Sequence, residues 1–157
     1  MMLGLHKEAM VEADLAVSYN PNHAWGSGAV GGTRTFGGRP SEAIEPLEMA
    51  LRLSPFDPLD FLWLHWMSRA HYLAGDYEAA ISVARRLWRS HPEVTGNIRT
   101  LIAALGQSGE VEEARRVMSE GLERLGEDFR HWGTSAELRA DDRECLIDGW
   151  RKAGVLN

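Results

Sequence analysis

Cysteine is almost absent: Cys145 stands alone among 157 residues. No disulfide can form within the chain, which fits a reducing compartment. Long apolar runs are missing too, and none reaches the roughly 18 residues that a membrane helix requires. The opening segment, MMLGLHKEAMVEADLAV, lacks the positive-then-apolar order of a secretory signal, because Glu8, Glu12 and Asp14 interrupt it. Together these absences lead us to expect a cytoplasmic protein. Clustered positive charge is scarce as well, and the formal net charge is −6. Phosphate binding depends on grouped Lys and Arg, so no nucleic-acid partner is expected. The one basic stretch, Arg85-Arg86-Leu87-Trp88-Arg89, reads at helical spacing as a solvated helix flank.

Motifs of catalysis are equally sparse. The histidines (His6, His23, His65, His71, His91 and His131) form no i, i+4 pair and no H-E-x-x-H, so no metal site is expected. There is no G-x-S-x-G, no Walker pattern and no evident carboxylate pair, so the chain is not expected to be an enzyme or to carry a cofactor. Gly26-Ser27-Gly28-Ala29-Val30-Gly31 spells G-x-G-x-x-G. A dinucleotide loop must leave a strand and open a helix, whereas this one follows a helix stop at Tyr19-Asn20-Pro21-Asn22. Gly26, Gly28, Gly31 and Gly32 in one helix cost about 3–4 kcal/mol relative to alanine. Close backbone packing and a soft helix both account for them at this level. Cys145, beside Leu146 and Trp150 on the final helix, reads as a packed thiol rather than a reactive one.

What the sequence does contain is a repeat. Pro21, Pro55, Pro92 and Gly126 are separated by 34, 37 and 34 residues. The small residues Ala9, Ala43, Ala80 and Ala114 have the same separations, and Gly38, Gly75 and Gly109 keep that register. Three landmarks sharing one period and one insertion mark stacked helical hairpins. Alanines at the crossing allow close helix approach. Each glycine suits the left-handed residue that ends a first helix, and the prolines stop the second. The expected helices lie near 4–19, 22–36, 40–53, 59–73, 76–90, 94–107 and 110–125. An irregular stretch follows over 127–140, then a last helix near 141–153. Pro40 suits a first turn, whereas Pro46 falls inside its helix and is expected to kink it. The insertion falls in the loop Ser54-Pro55-Phe56-Asp57-Pro58-Leu59.

The order of these residues resembles the tetratricopeptide repeat. Its Gly…Ala-x3-Phe-x2-Ala…Pro pattern reads here as Gly38, Ala43, Leu47, Ala50, Pro55, then Gly75, Ala80, Ala84, Leu87, Pro92, then Gly109, Ala114, Met118, Gly121, Gly126. A leading half copy gives Ala9, Ala13, Ala16, Pro21. The first-helix small residue is Gly31, then Ser68, but Ile102 in the last copy. The resemblance implies an all-α, right-handed superhelical solenoid of about three and a half hairpins. Its parts would be a half repeat 4–21, repeats 22–55, 59–92 and 94–126, and a C-terminal cap 127–157. Two segments, LRLSPFDP (51–58) and DGWRKAG (148–154), are similar to the tetratricopeptide modules at the C-terminal end of proteobacterial class III adenylate/guanylate cyclases. That resemblance implies an accessory role beside a signalling enzyme, and a bacterial origin.

In such modules the first helices line a peptide groove. Carried over by register, the groove would use Trp25 and Phe36, then Leu62, His65, Arg69 and Tyr72, then Arg99 and Gln107. Aromatic anchors beside arginines suit a peptide: the rings supply apolar area and the guanidinium pairs a carboxylate. The competing reading fills this side with the C-terminal helix and makes Trp63, Trp66 and Trp150 core. At the other end, Leu5, Ala9, Met10 and Ala13 form a stacking edge open to a second copy of the chain. The expected function is a protein-protein interaction module that binds a partner segment or itself. A regulatory domain of a cyclase system and a solenoid holding a small acidic ligand through Arg69 and Arg99 are the alternatives.

Overall fold

The apolar residues that share the repeat period close onto one another in space. The computed structural model describes residues 2–130 and 139–156. Among them are eight α-helices, two short 3-10 segments and no strand, so the fold is all-α. In chain order the α-helices are α1 (Met2–Tyr19), α2 (Ala24–Phe36), α3 (Ile44–Leu53), α4 (Asp60–Leu73), α5 (Tyr77–Ser90), α6 (Thr95–Gln107), α7 (Val111–Leu125) and α8 (Ala140–Lys152). Each of α1 to α7 packs on its chain neighbours, and α2, α4 and α6 also touch in series. No helix among the described residues is long and apolar enough to cross a membrane.

The repeat landmarks sit where close packing demands them. Ala43, Ala80 and Ala114 are wholly buried. Gly38, Gly75 and Gly109 have φ of 81°, 84° and 77°, the left-handed turn that a Cβ disfavours. Local caps fix two helix starts: His23 Nδ1 accepts from Gly26 N at 3.1 Å, and an Asp76 carboxylate oxygen from Ala79 N at 3.1 Å.

One expected helix differs. The span 40–53 is split into a 3-10 turn, Pro40–Glu42, and α3. Pro46 therefore lies in the first turn of α3, where its missing N–H removes no helical bond, and the expected kink is not needed.

The glycines of α2 are packing sites. A Cβ at Gly28 would strike the Trp63 indole, and one at Gly31 the Leu47 side chain. One at Gly32 would stand 2.8 Å from Trp66 Cε3. The helix gives up alanine's propensity so that two tryptophans and a leucine can enter its grooves. The G-x-G-x-x-G letters thus form a covered helix face and not a phosphate loop. At the other end α8 packs chiefly on α6. There Gly149 faces Ala103, whose carbonyl oxygen a Cβ would meet at 2.6 Å. Leu146 and Trp150 of α8, with Ala153 just beyond its end, are fully buried in the same core as Leu101, Ile102 and Leu105.

Candidate functional site

α4 and α6 bring most of the expected groove residues together. Arg69 is only 3% exposed. Its Nε donates to Thr100 Oγ1 at 2.8 Å and its Nη2 to the Gly96 carbonyl at 3.0 Å. His65 lies one turn back on α4, its ring so close to Gly96 that a Cβ there would sit 2.7 Å from Cε1. Burial, then the positive charges of Arg69 and Arg99, push the His65 pKa down to about 3, so the imidazole is neutral at physiological pH. Its Nδ1 is buried without a hydrogen-bond partner. Burial also lowers the pKa of Arg99.

The polar groups on this face hold polypeptide main chain. Arg99 Nε donates to the Phe129 carbonyl at 2.6 Å, and the Tyr72 hydroxyl to the Cys145 carbonyl at 2.6 Å. In return Trp150 Nε1 donates to the Arg99 carbonyl at 2.9 Å. Gln107 binds α8 from both ends of its amide. Nε2 donates to Asp148 Oδ2 at 3.1 Å, and Oε1 accepts from Lys152 Nζ at 2.7 Å. Lys152, whose Nζ also lies 2.8 Å from Asp148 Oδ2, and then Gln107 hold the Asp148 carboxyl below its usual range. Burial drives the Tyr72 phenol strongly upward, so it stays a protonated donor. Thus the face that includes Tyr72, Arg99 and Gln107 is occupied by residues of the chain's own C-terminal segment.

The other expected members lie apart from these contacts. Trp25 is half-buried on α2; its Nε1 donates to Asp57 Oδ2 at 3.2 Å and its ring meets Trp63 edge-on at 5.2 Å. Phe36 and Leu62 are half-buried, Phe36 against the core around α6. At the expected self-association edge, Ala13 is buried and Met10 lies against Gly37, while Ala9 is exposed. The side chain of Leu5 lies outside the described residues, as do His131, Trp132 and the rest of 131–138 within the expected irregular stretch 127–140. The exposed apolar stripe of α1 is instead Val11, Leu15 and Tyr19.

Several participants escaped the sequence reading. Asn97 Nδ2 donates to the Ala84 carbonyl at 2.9 Å while its Oδ1 lies 3.2 Å from Ser68 Oγ, a buried link among α4, α5 and α6. Asp142, only 8% exposed, opens α8 with its Oδ2 unpartnered. Burial raises its carboxyl pKa, against the pull of Arg139 and Arg69. Nothing in the local sequence marks either residue, because both act across distant elements. Cys145 corrects an expectation: its thiol is exposed, not packed, since this position of α8 turns away from the Leu146–Trp150 side. Partial desolvation by its neighbours, then the carboxylates of Asp142, Asp148, Asp141 and Glu144, raise its pKa, the opposite of an activated nucleophile.

Among the described residues no group of His, Cys, Asp and Glu is placed to hold a metal ion. Compared with known proteins, the chain matches no protein-family model and no curated protein at a significant level.

Proposed function

We propose that this chain is a protein-protein interaction module, a tetratricopeptide-like superhelical solenoid whose α4–α6 face takes up an extended or helical polypeptide segment. The observation that carries the reading is the pair of side chain-to-carbonyl bonds from Arg99 to Phe129 and from Tyr72 to Cys145. The face already performs main-chain recognition, with the chain's own C-terminal segment as occupant. Buried alanines at the repeat positions and left-handed turn glycines support the stacked-hairpin architecture. A partner on this face competes with α8 or binds beside it, where Tyr72, Tyr77, Gln107, Cys145 and Asp148 line an open cavity of about 680 Å³.

The test has two stages. Cross-linking and mass spectrometry first identify the bound protein and its segment. That segment, as a labelled peptide, is then titrated against wild type and against Tyr72→Phe with Arg99→Gln. We expect at least about tenfold weaker binding, the equivalent of about 1.4 kcal/mol. Unchanged affinity would move the site off this face.

A further inference from the structure

α1, α3, α5 and α7 follow one sequence register, set by Ala9, Ala43, Ala80 and Ala114, so their remaining positions can be compared one by one. Val11, Leu15 and Tyr19 of α1 stand where α5 has Ser82, Arg86 and Ser90 and where α7 has Arg116, Glu120 and Arg124. On α3 the same positions hold Glu45, Met49 and Leu53. They are thus polar on α5 and α7 and wholly apolar on α1. The three α1 side chains are 65%, 45% and 81% exposed. Spaced four residues apart, they form one stripe along the helix. The adjoining side of α1 is uncovered as well. Ala43 and Ala50 at α3, and Ala80 and Leu87 of α5, are wholly buried, whereas their α1 counterparts Ala9 and Ala16 are exposed. The packing explains the difference: α3 packs on both α2 and α4, and α5 on both α4 and α6, but α1 packs chiefly on α2. An apolar stripe turned away from the helix's own core marks a contact with something outside the chain.

The stripe is complementary to itself. Two α1 helices laid antiparallel about a two-fold axis at Leu15 set Leu15 on Leu15 and, on either side of the axis, the small Val11 on the large Tyr19. In that register Glu8 and Glu12 lie level with Asn22 and Ser18 of the second copy, so neither carboxylate faces another. Asp14 is held within its own chain by Arg34 at 2.9 Å. We propose that two copies of this chain associate through α1 in this antiparallel way, a self-complementary contact centred on Leu15. The surface is separate from the α4–α6 face, so both can be engaged at once. Little more than one helix offers less area than a standard stable dimer buries, so the association is reversible, with a dissociation constant on the order of 10–100 µM.

Sedimentation equilibrium of the intact chain over about 5–500 µM tests this. Wild type should pass from monomer to dimer across that range. Added salt should favour the dimer, because each copy carries a net charge of −6 and an apolar contact gains from screening. Val11→Ser with Leu15→Arg and Tyr19→Ser gives α1 the α5 pattern and should weaken association at least about tenfold. Its circular dichroism and melting should match wild type, since all three positions are exposed. Leu15→Asn alone, which adds no charge, should weaken association about threefold or more. In a Cys145→Ser background a short bismaleimide should join two Leu15→Cys copies and leave Lys7→Cys copies single, because only position 15 lies on the axis. Three results overturn the proposal. They are a monomer at every concentration, a dimer that the α5-pattern variant leaves intact, and cross-linking of Lys7→Cys as readily as of Leu15→Cys. The first would leave the stripe to a helix of another protein, the second would put the dimer contact on a different surface, and the third would mean a different alignment of the two helices.

Discussion

Between α5 and α7 the surface is bridged by charge. Arg85 bonds Glu113 at 2.6 Å and Glu110 at 3.2 Å, Trp88 Nε1 donates to Glu120 at 3.3 Å, and Arg124 lies 5.2 Å over the Trp88 ring. Between α1 and α3 the lining is mostly apolar, and the ion pair at its edge joins Asp14 of α1 to Arg34 of α2. All the large exposed hydrophobics among the described residues fall within 11–59. Helices built to one repeat thus carry two surfaces of opposite chemistry. The lesson is that the repeat fixes which side chains are buried, while the positions free of that duty are where the two ends diverge. One end is finished by polar contacts within the chain, and the other keeps apolar side chains exposed.

The interiors differ in a parallel way, and the largest expected effect breaks the N-terminal one. Trp63→Ala empties the slot beside Gly28 and should cost about 4 kcal/mol in chemical denaturation. A loss below about 1 kcal/mol would show that the α2–α4 contact is not close-packed. At the C-terminal end the crossing is backbone against backbone. Gly149→Ala should cost about 2–3 kcal/mol despite alanine's better helix propensity, because Ala103 cannot retreat as a flexible side chain would. Loosening of α8 should appear as altered Trp150 fluorescence and faster amide exchange over 140–152.

Much of this architecture was legible in the sequence. The small-residue positions and turn glycines carry backbone requirements that only a few residue types meet, so Ala43, Ala80, Ala114, Gly38, Gly75 and Gly109 could be placed by spacing. The split before α3 was not, because a proline in a first turn and one in a helix interior look alike until the start is known. The glycines of α2 were ambiguous for a similar reason: Trp63, Leu47 and Trp66 fill them from other helices. At the candidate site the register set Arg69 and Tyr72 on α4 and Arg99 and Gln107 on α6, helices that pack on each other. It left open that Phe129 and Cys145 carbonyls would occupy them, since main-chain acceptors have no sequence signature. The exposed stripe Val11, Leu15 and Tyr19 lay one helix side away from the expected edge at Met10 and Ala13, a difference that only the seating of α1 on α2 decides.

Two smaller effects sharpen the contrast. His65 has a folded pKa below its unfolded value of about 6.5. Below pH 6.5 the unfolded chain therefore binds the extra proton, and stability should fall as pH drops from about 6.5 toward 3. His65→Gln should flatten that part of the thermal-stability profile, while an unchanged slope would mean that the imidazole is solvated. Arg85→Ala opens the charged clasp and should cost only about 0.5–1 kcal/mol, less in high salt, because its groups are partly exposed. Glu113, its carboxyl held below the usual range chiefly by the Arg85 hydrogen bond, contributes above its unfolded pKa. That contribution is lost as pH falls through the folded one.

Site-specific photo-cross-linking in the cell of origin tests the interaction reading most directly, with the reactive group placed in turn at Cys145, exposed beside the α4–α6 face, and at Arg86, exposed on the α5 side. A partner on the α4–α6 face predicts discrete protein adducts from Cys145 and none from Arg86. Adducts of equal yield from both, or from Arg86 alone, would contradict it.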